Sequence, residues 1–235
     1  MTLIQTFKIC TSALVLSIVV ACAPSSKDPV DPWEGFNRSV FGFNEQLDNY
    51  LLEPVAKGYV AAVPEVARTG VTNALSNLRQ PWTFANSVLQ LDARNASASF
   101  WSFLLDSTFG IAGLYNFTER HTDLNVRTED FGQTLGYWGL PNGPYLVLPL
   151  FGPSSVRDGL GTVAAIILDP VHHAGNSGSN NVDNALIVRA VASAIDTRAG
   201  LIPAFDSIYS TSFDPYATIR SGYLQRRKAL VNNTK

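Results

Sequence analysis

The residues that could do acid–base or metal chemistry are few in this sequence and poorly placed for it. The chain has three histidines, His121, His172 and His173, and none belongs to a glutamate-flanked pair at helical spacing. His172 and His173 are adjacent, so they would point in different directions on any regular element. His121 lies close to Asp123, an arrangement more typical of a surface contact than of a catalytic pair. The histidines therefore predict neither a metal site nor a catalytic base.

Nucleophile and phosphate-binding motifs are also missing from the sequence. There is no G-x-S-x-G nucleophile elbow, and Ser154 and Ser155 follow a Gly-Pro pair in a predicted turn. The glycine-rich runs lack the terminal lysine of a phosphate-binding loop and its strand-then-helix context. A net charge of −2 and a pI near 5.9 offer no electrostatic basis for binding nucleic acid. We predict no catalytic residue, no metal, no cofactor and no nucleic-acid partner, so the protein is not expected to be an enzyme.

One cysteine does have a recognisable chemical context. Lys8 precedes an apolar stretch over 9–20, which is typical of a signal peptide and too short to span a bilayer. The following tetrapeptide VVAC ends at Cys22 and resembles the bacterial lipobox, in which the signal is cut before a cysteine that becomes acylated. Ala23 is not the aspartate associated with inner-membrane retention, which favours the outer membrane. The alternative is an ordinary secretory signal with an incidental cysteine.

Cleavage before Cys22 would divide the chain into four parts. These are a lipoprotein signal peptide (1–21), an acylated N-terminus with a short linker (22–32), a single helical domain (33–231) and a tail (232–235). The only other cysteine, Cys10, would leave with the signal, so the mature chain would have no free thiol. The linker reaches at most about 35–40 Å when extended, so we expect the folded body to begin close to the membrane.

The composition predicts a surface that water does not fully cover. Charged residues make up 15% of the chain, against roughly 25% in a typical soluble domain. The longest uncharged stretch runs over 131–156 and is rich in glycine and proline, so no continuous helix can occupy it. Such a surface must be covered by lipid or by a partner protein.

Apolar residues three and four positions apart predict a mostly α-helical body. The predicted helices cover 36–50, 64–78, 92–108, 161–168, 182–199 and a segment that begins after Asp214-Pro215. We expect the first helix to end near Pro54, the second to end before Pro81, and Asp92 to cap the third. The third helix is apolar on nearly every side except at Asp106, which predicts that it is buried in protein or faces lipid. No hairpin pair is evident.

Three blocks, in this order, resemble hallmark blocks of the MlaA/VacJ family and extend over nearly the whole mature chain. They are DPWEGFNRSVFGFN from residue 31, FGQTLGYWGLPNGPYLVLPLFGPSSVRDG from residue 131, and DPYATIRSGYLQRR from residue 214. The central block is the most specific of the three. The resemblance implies a mostly α, membrane-embedded, ring-like single domain with Gly/Pro-rich irregular segments around a lipid channel.

The same resemblance implies a function in the outer membrane of a Gram-negative bacterium. A lipid-anchored, periplasm-facing protein embedded in the inner leaflet would remove mislocalised phospholipids from the outer leaflet and maintain lipid asymmetry. Its transported ligand would be phospholipid, and its partners would be a periplasmic carrier of the Mla system and, as in some relatives, trimeric porins. The alternative is a structural envelope lipoprotein that scaffolds a porin or other partner without transporting lipid.

The resemblance also directs attention to particular residues as a candidate lipid channel. We expect residues 136–156, which include Gly143, Pro144 and Tyr145, to form rigid turns beside the channel. Arg157 and Asp158 would lie at a polar rim or form a paired structural lock. A Gly/Pro-rich connector that only packs the ring together is the alternative for this segment.

Phe43 and Asn44 are the second candidate group, and we expect them to set the resting state of the channel. The alternative makes Phe43 a core residue and Asn44 a helix-surface amide. Segments 36–52 and 100–114 are expected to face lipid, and six aromatic residues are expected in an interfacial belt or, alternatively, in the core: Trp33, Trp82, Trp101, Tyr137, Trp138 and Tyr145.

Overall fold

In the computed structural model, which describes residues 28–168 and 180–232, the chain is mostly helical. The helices are α1 Glu34–Leu47, α2 Glu53–Ala62, α3 Glu65–Asn77, α4 Gln80–Leu89, α5 Ala93–Thr108, α6 Phe117–His121, α7 Phe131–Tyr137, α8 Val156–Leu168, α9 Asn180–Thr211 and α10 Pro215–Val231. A π-helical turn, Asp48–Leu52, joins α1 to α2, and two strands, β1 Tyr145–Leu148 and β2 Gly152–Ser155, lie between α7 and α8. Cys22, His172 and His173 lie outside the described residues.

Two helix starts follow directly from local sequence. The Asp92 carboxylate accepts a hydrogen bond from the backbone N–H of Asn95 and begins α5 as predicted. The Asp214 carboxylate accepts from the backbone N–H of Ala217 and begins α10 in the same way. Such caps satisfy N–H groups that have no partner within the helix, so they determine a boundary through contacts only three residues apart.

Prolines mark the helix ends less strictly than predicted. The first helical run does not end near Pro54, because the π-helical turn lets the Glu53 N–H reach the Asp48 carbonyl and leaves Pro54 in the first turn of α2. There its missing N–H has little cost. Pro81 likewise lies in the first turn of α4, a helix that was not predicted. The helix predicted to end at 199 continues through Pro203 to Thr211, and α8 begins at Val156 rather than near Gly161.

An antiparallel hairpin occupies the end of the uncharged segment, although no hairpin was predicted. Tyr145 pairs with Ser155 and Leu148 pairs with Gly152, so each strand has only four residues. At the tip, Leu150 has φ 69° and Gly152 has φ 77°. Strands this short, one of them containing Pro153, have no recognisable period in the sequence.

The buried side of α5 is polar and its exposed side is apolar. Asn95, Ser99, Ser102 and Asp106, spaced four, three and four residues apart, are all buried, whereas Phe100, Trp101 and Leu104 are exposed. The helix was predicted to be apolar on nearly every side, and short polar residues on its inner face are what that prediction missed. Their burial requires hydrogen-bond partners on neighbouring segments.

The apolar core is small and aromatic. Tyr145, Val147 and Tyr216 are buried together, and partly buried side chains of α1 and α10 pack against them. The Phe41 ring meets the Tyr216 ring edge-on with centroids 5.6 Å apart, and the Tyr145 and Tyr216 centroids are 6.1 Å apart. This core joins the hairpin to α1 and α10. In the described ranges, no helix combines the length and apolarity needed to cross a membrane.

A buried ion pair attaches α9 to the π-helical turn. The Arg198 Nε and Nη2 atoms donate to the two carboxylate oxygens of Asp48, both at 2.7 Å. The Arg198 guanidinium also lies 4.6 Å from the centroid of the Phe205 ring. Only 8% of the Arg198 side chain and 16% of the Asp48 side chain are exposed. Removing one partner therefore leaves a buried charge uncompensated.

We expect Arg198→Gln to lower the free energy of unfolding by about 3 kcal/mol, because Asp48 would lose its charged partner in a buried site. The matched control is Arg38→Gln, which breaks an exposed bidentate pair with Asp214 and should cost about 1 kcal/mol or less. Urea unfolding of the purified protein in detergent measures both values. Equal losses for the two variants would contradict a role for burial.

Candidate functional site

Two asparagines on one face of α1 hold the hairpin. Asn37 donates through Nδ2 to the Tyr145 carbonyl at 3.0 Å and accepts through Oδ1 from the Val147 N–H at 2.9 Å. Asn44, two helical turns later, donates to the Leu148 carbonyl at 3.0 Å and accepts from the Leu150 N–H at 2.9 Å. Each amide thus pairs with backbone groups as a neighbouring strand would. These two contacts, the amide clamps, position β1 and the hairpin tip against α1.

The two residues predicted to set the resting state of the channel have different surroundings in the structure. Phe43 is 54% exposed, so the alternative that it is a core residue is wrong. Asn44 is partly buried and engaged at both ends of its amide, so it is not a free surface amide. The predicted role of these residues in a channel stays a prediction, but Asn44 is hydrogen-bonded to the hairpin at Leu148 and Leu150.

Gly143, Pro144 and Tyr145 lead the chain from a surface turn into the core. Gly143 has φ 69°, a conformation that favours glycine. The Pro144 carbonyl accepts from the Val156 N–H at 3.1 Å, which closes the open end of the hairpin. Tyr145 is fully buried, so the expectation that it belongs to an interfacial belt is wrong, and its burial raises the pKa of the phenol. Of the other belt candidates, Trp101 and Trp138 are more than half exposed.

Arg157 and Asp158 are buried and belong to a larger, partly buried group that we call the ion cluster: Asp130, Arg157, Asp158, Tyr223 and Arg227. Asp158 accepts from Arg157 Nε at 3.0 Å, from the Tyr223 hydroxyl at 2.5 Å and from Arg227 Nη2 at 2.9 Å. Arg227 also donates to both carboxylate oxygens of Asp130, at 2.6 and 3.0 Å. Of the two predicted arrangements for Arg157 and Asp158, the structure shows the paired lock.

Two glycines allow α7 and α8 to approach at the ion cluster. A Cβ atom on Gly161 would lie 2.6 Å from the backbone nitrogen of Gly132, and one on Gly132 would lie 2.5 Å from Asp158 Oδ1. Neither position can accept a side chain without moving backbone or a buried carboxylate. Asp130 and Arg227 are not among the predicted site residues. Their only sequence signal is position: Asp130 immediately precedes the central block, and Arg227 is the last residue of the third.

A second buried group joins the N-terminal segment to α1 and α10. Asp31 is fully buried and accepts from Asn37 Nδ2 at 2.8 Å, from the Tyr216 hydroxyl at 2.5 Å and from Arg220 Nη1 at 2.9 Å. Next to it, the Tyr145 N–H donates to the Val30 carbonyl at 2.8 Å. The folded body therefore includes the end of the predicted linker.

Open spaces lie beside these networks. One cleft of about 280 Å³ is bordered by the ion cluster together with apolar groups of Phe131, Pro153 and Ala165. Another, of about 460 Å³, lies between α3, α5 and α6 and is lined mainly by polar side chains. The His121 Nε2 atom lies 3.1 Å from the Tyr115 hydroxyl in an exposed contact. No group of three or more potential metal ligands is found among the described residues.

We expect Asn37→Ala to lower the free energy of unfolding by about 3 kcal/mol, because it removes one of the hydrogen bonds to the buried Asp31 carboxylate and leaves two backbone groups of β1 without their partner. Asn44→Ala should cost about 1 kcal/mol, since its partners lie nearer the surface. Asn49→Ala, at an exposed position of the π-helical turn, is the control and should change stability by less than about 0.5 kcal/mol. Amide hydrogen exchange should show faster exchange at Leu150 in Asn44→Ala. Unchanged exchange there would contradict the amide clamp.

The pKa of Asp130 provides a test of the ion cluster. Burial alone would raise this pKa, but the hydrogen bonds and charge of Arg227 outweigh burial and hold it below its usual value. A depressed folded-state pKa stabilises the protein fully above the unfolded pKa, about 3.9, and this contribution is lost as pH falls through the folded pKa. The stability difference between wild type and Asp130→Asn should therefore shrink below about pH 4. A difference that stays constant in urea unfolding down to pH 2.5 would contradict this prediction.

Comparison with known proteins places this arrangement in context. The family model described as MlaA lipoprotein matches residues 29–230. The chain is 34% identical over 238 residues to the intermembrane phospholipid transport system lipoprotein MlaA of Escherichia coli K12, covering 96% of this chain and 90% of that protein. It is 37% identical over 202 residues to an uncharacterised protein of Rickettsia felis, covering 86% of this chain and 78% of that protein.

A solved chain from work on the structural basis for maintenance of bacterial outer membrane lipid asymmetry has a similar fold. It superposes with a TM-score of 0.72 at 32% sequence identity and covers 86% of this chain and 98% of its own. The predicted helical fold and the resemblance carried by the three sequence blocks are both confirmed. This chain belongs to the MlaA lipoprotein family.

Proposed function

We propose that this chain is an outer-membrane lipoprotein that removes mislocalised phospholipids from the outer leaflet. The lipid would pass through an amphipathic channel to a periplasmic carrier of the Mla system for retrograde transport, and this would maintain lipid asymmetry. The names of its relatives support the transport function. The cargo is phospholipid, and the proposal requires no catalytic residue and no cofactor. A trimeric porin is the proposed protein partner in the outer membrane.

The observation that carries this proposal is the reversed distribution of polar and apolar side chains. Among the described residues, 20 polar or charged residues are buried but only six apolar ones. Large apolar side chains instead lie on the outside, including Leu160, Val163 and Ile167 of α8, each more than half exposed. An apolar exterior supports a lipid environment, and hydrogen-bonded polar groups inside support a path for headgroups.

Apolar loop tips provide further support for contact with lipid. Leu91, Ile111 and Leu150 all have positive φ, between 52° and 69°, and each is at least 67% exposed. A left-handed conformation is costly for a β-branched residue such as Ile111. Burying such a side chain in lipid recovers about 1.5–3 kcal/mol, which offsets the strain. We propose that these tips insert into the membrane.

The anchor would hold this surface against the inner leaflet of the outer membrane. Acylation of Cys22 is the proposed lipidation, and Asp31, nine positions further along the chain, already belongs to the fold. Asp31 is buried beneath α10, so little free chain separates the anchor from the fold. A short attachment supports a periplasm-facing body that stays at the membrane.

The channel residues remain part of the proposal. Asn44 holds the hairpin tip, and the hairpin continues without a break from Ser155 into α8, where Arg157 and Asp158 are locked by the ion cluster. We propose that Gly143, Pro144 and Tyr145 form the base of a movable wall, with Phe43 exposed beside it. Displacing the tip would then change access to the lipid path.

We expect expression of this chain in a Gram-negative strain that lacks its own transport lipoprotein to restore a low level of outer-leaflet phospholipid. Labelling of surface-accessible phospholipid in intact cells measures this directly. Cys22→Ser should abolish the effect because the body would lose its membrane attachment. Asn44→Ala should raise outer-leaflet phospholipid severalfold over wild type, whereas the control Asn49→Ala should not.

Two results would count against the proposal. An acylated, correctly located wild-type chain that leaves outer-leaflet phospholipid unchanged would contradict transport, and a stable porin complex without lipid in that case would indicate a scaffold. A normal phenotype for Asn44→Ala would contradict only the assigned role of the hairpin tip.

A further inference from the structure

The charged side chains that line the cleft between α3, α5 and α6 are all acidic. Three carboxylates line it, those of Asp106, Glu119 and Asp123, and no lysine, arginine or histidine does so among the described residues. Asp106 is only 5% exposed, and its carboxylate accepts from Ser102 Oγ at 3.0 Å and from the Thr118 N–H at 2.8 Å. Glu119 and Asp123 are exposed at the rim. The cleft, which we call the acidic cleft, therefore favours a cation and disfavours an anion.

Three residues in the wall of the acidic cleft each carry a buried side-chain oxygen that lacks a hydrogen-bond partner within the described part of the chain. These oxygens are Asn77 Oδ1, Gln80 Oε1 and Thr118 Oγ1. Asn77 and Thr118 are only 5% and 2% exposed, so these oxygens are costly to leave unpaired. The Asn77 amide is held in place because Nδ2 donates to Ser107 Oγ at 2.9 Å. The wall of the cleft thus holds unpaired acceptors directly behind its surface, which favours a ligand that carries hydrogen-bond donors.

A neighbouring cleft of about 370 Å³ has basic side chains. Arg94 and Arg127 line it, and Asn125 lines both this cleft and the acidic one. Arg127 is paired with Asp92, whereas the exposed Arg94 forms no ion pair within the described ranges. Acidic and basic clefts that meet at one residue complement a ligand with a positive and a negative group a short distance apart.

We infer that the acidic cleft binds the primary ammonium group of a zwitterionic phospholipid headgroup, with the headgroup phosphate directed toward Arg94. This inference rests on the proposed transport function and adds a headgroup preference to it. A primary ammonium has three N–H donors for the unpaired oxygens and the carboxylates. A trimethylated ammonium has the charge without the donors, and an anionic glycerol headgroup meets three carboxylates.

The test uses the full-length acylated protein, purified in detergent and incubated with mixed micelles of phosphatidylethanolamine, phosphatidylcholine and phosphatidylglycerol in equal amounts. Bound lipid is extracted and quantified by mass spectrometry. The variant Glu119→Gln/Asp123→Asn changes only the exposed rim, so Asp106 keeps its structural hydrogen bonds. The control Glu65→Gln/Asp206→Asn makes the same change in net charge at exposed positions outside the cleft.

We expect wild type to enrich phosphatidylethanolamine over both other lipids. The rim variant should lower the bound ratio of phosphatidylethanolamine to phosphatidylglycerol about fivefold, as the loss of partly exposed charge-assisted hydrogen bonds predicts. The control should keep the wild-type ratio.

Several results would overturn the inference. An unchanged ratio in the rim variant, or an equal fall in the control, would show that the acidic cleft does not select the headgroup. Calcium binding that the rim variant loses, with an unchanged lipid ratio, would indicate a metal site instead. Wild type that binds all three lipids equally would overturn the inference alone, whereas wild type that binds no phospholipid would also overturn the proposed transport function.

Discussion

Hydrogen bonding between buried polar side chains joins the distant segments of this chain, and Asn37 shows how much depends on it. Its amide contacts Asp31 in the N-terminal segment and both sides of β1. Asp31 then accepts from Tyr216 and Arg220 on α10, at the opposite end of the chain. The first helix, the hairpin and the last helix therefore meet at two fully buried polar residues. Where water is excluded, such hydrogen bonds are stronger, because a buried polar group without a partner has a high free-energy cost.

The small apolar core follows from the same arrangement. A domain in water would bury its large apolar side chains, yet here most of those on α8 and on the loop tips lie outside. Under the proposed function, acyl chains would stabilise this exterior, and the polar interior would admit a headgroup.

The hairpin leads directly along the chain into the ion cluster. β2 ends at Ser155 and α8 begins at Val156, so the strand leads directly into Arg157 and Asp158. The close approach of Gly132 and Gly161 holds α8 against α7 at this point. Only the hairpin tip, secured by Asn44, lies away from this fixed base. A rigid base with a separately clamped tip is the arrangement that the proposed movable wall requires.

What the sequence determined by itself is local or compositional. The helical class, the cap at Asp92, the helix start after Asp214, the shortage of charge and the family blocks can all be read without a structure, because each depends on neighbouring residues or on sums over the chain. What only the tertiary structure decided is long-range. The hairpin exists through amides more than 100 residues away, α5 turns its polar stripe inward, and Arg227 joins Asp130 to Asp158. Polar residues spaced along a helix do not reveal which side is buried, since that depends on whether distant segments supply their hydrogen-bond partners.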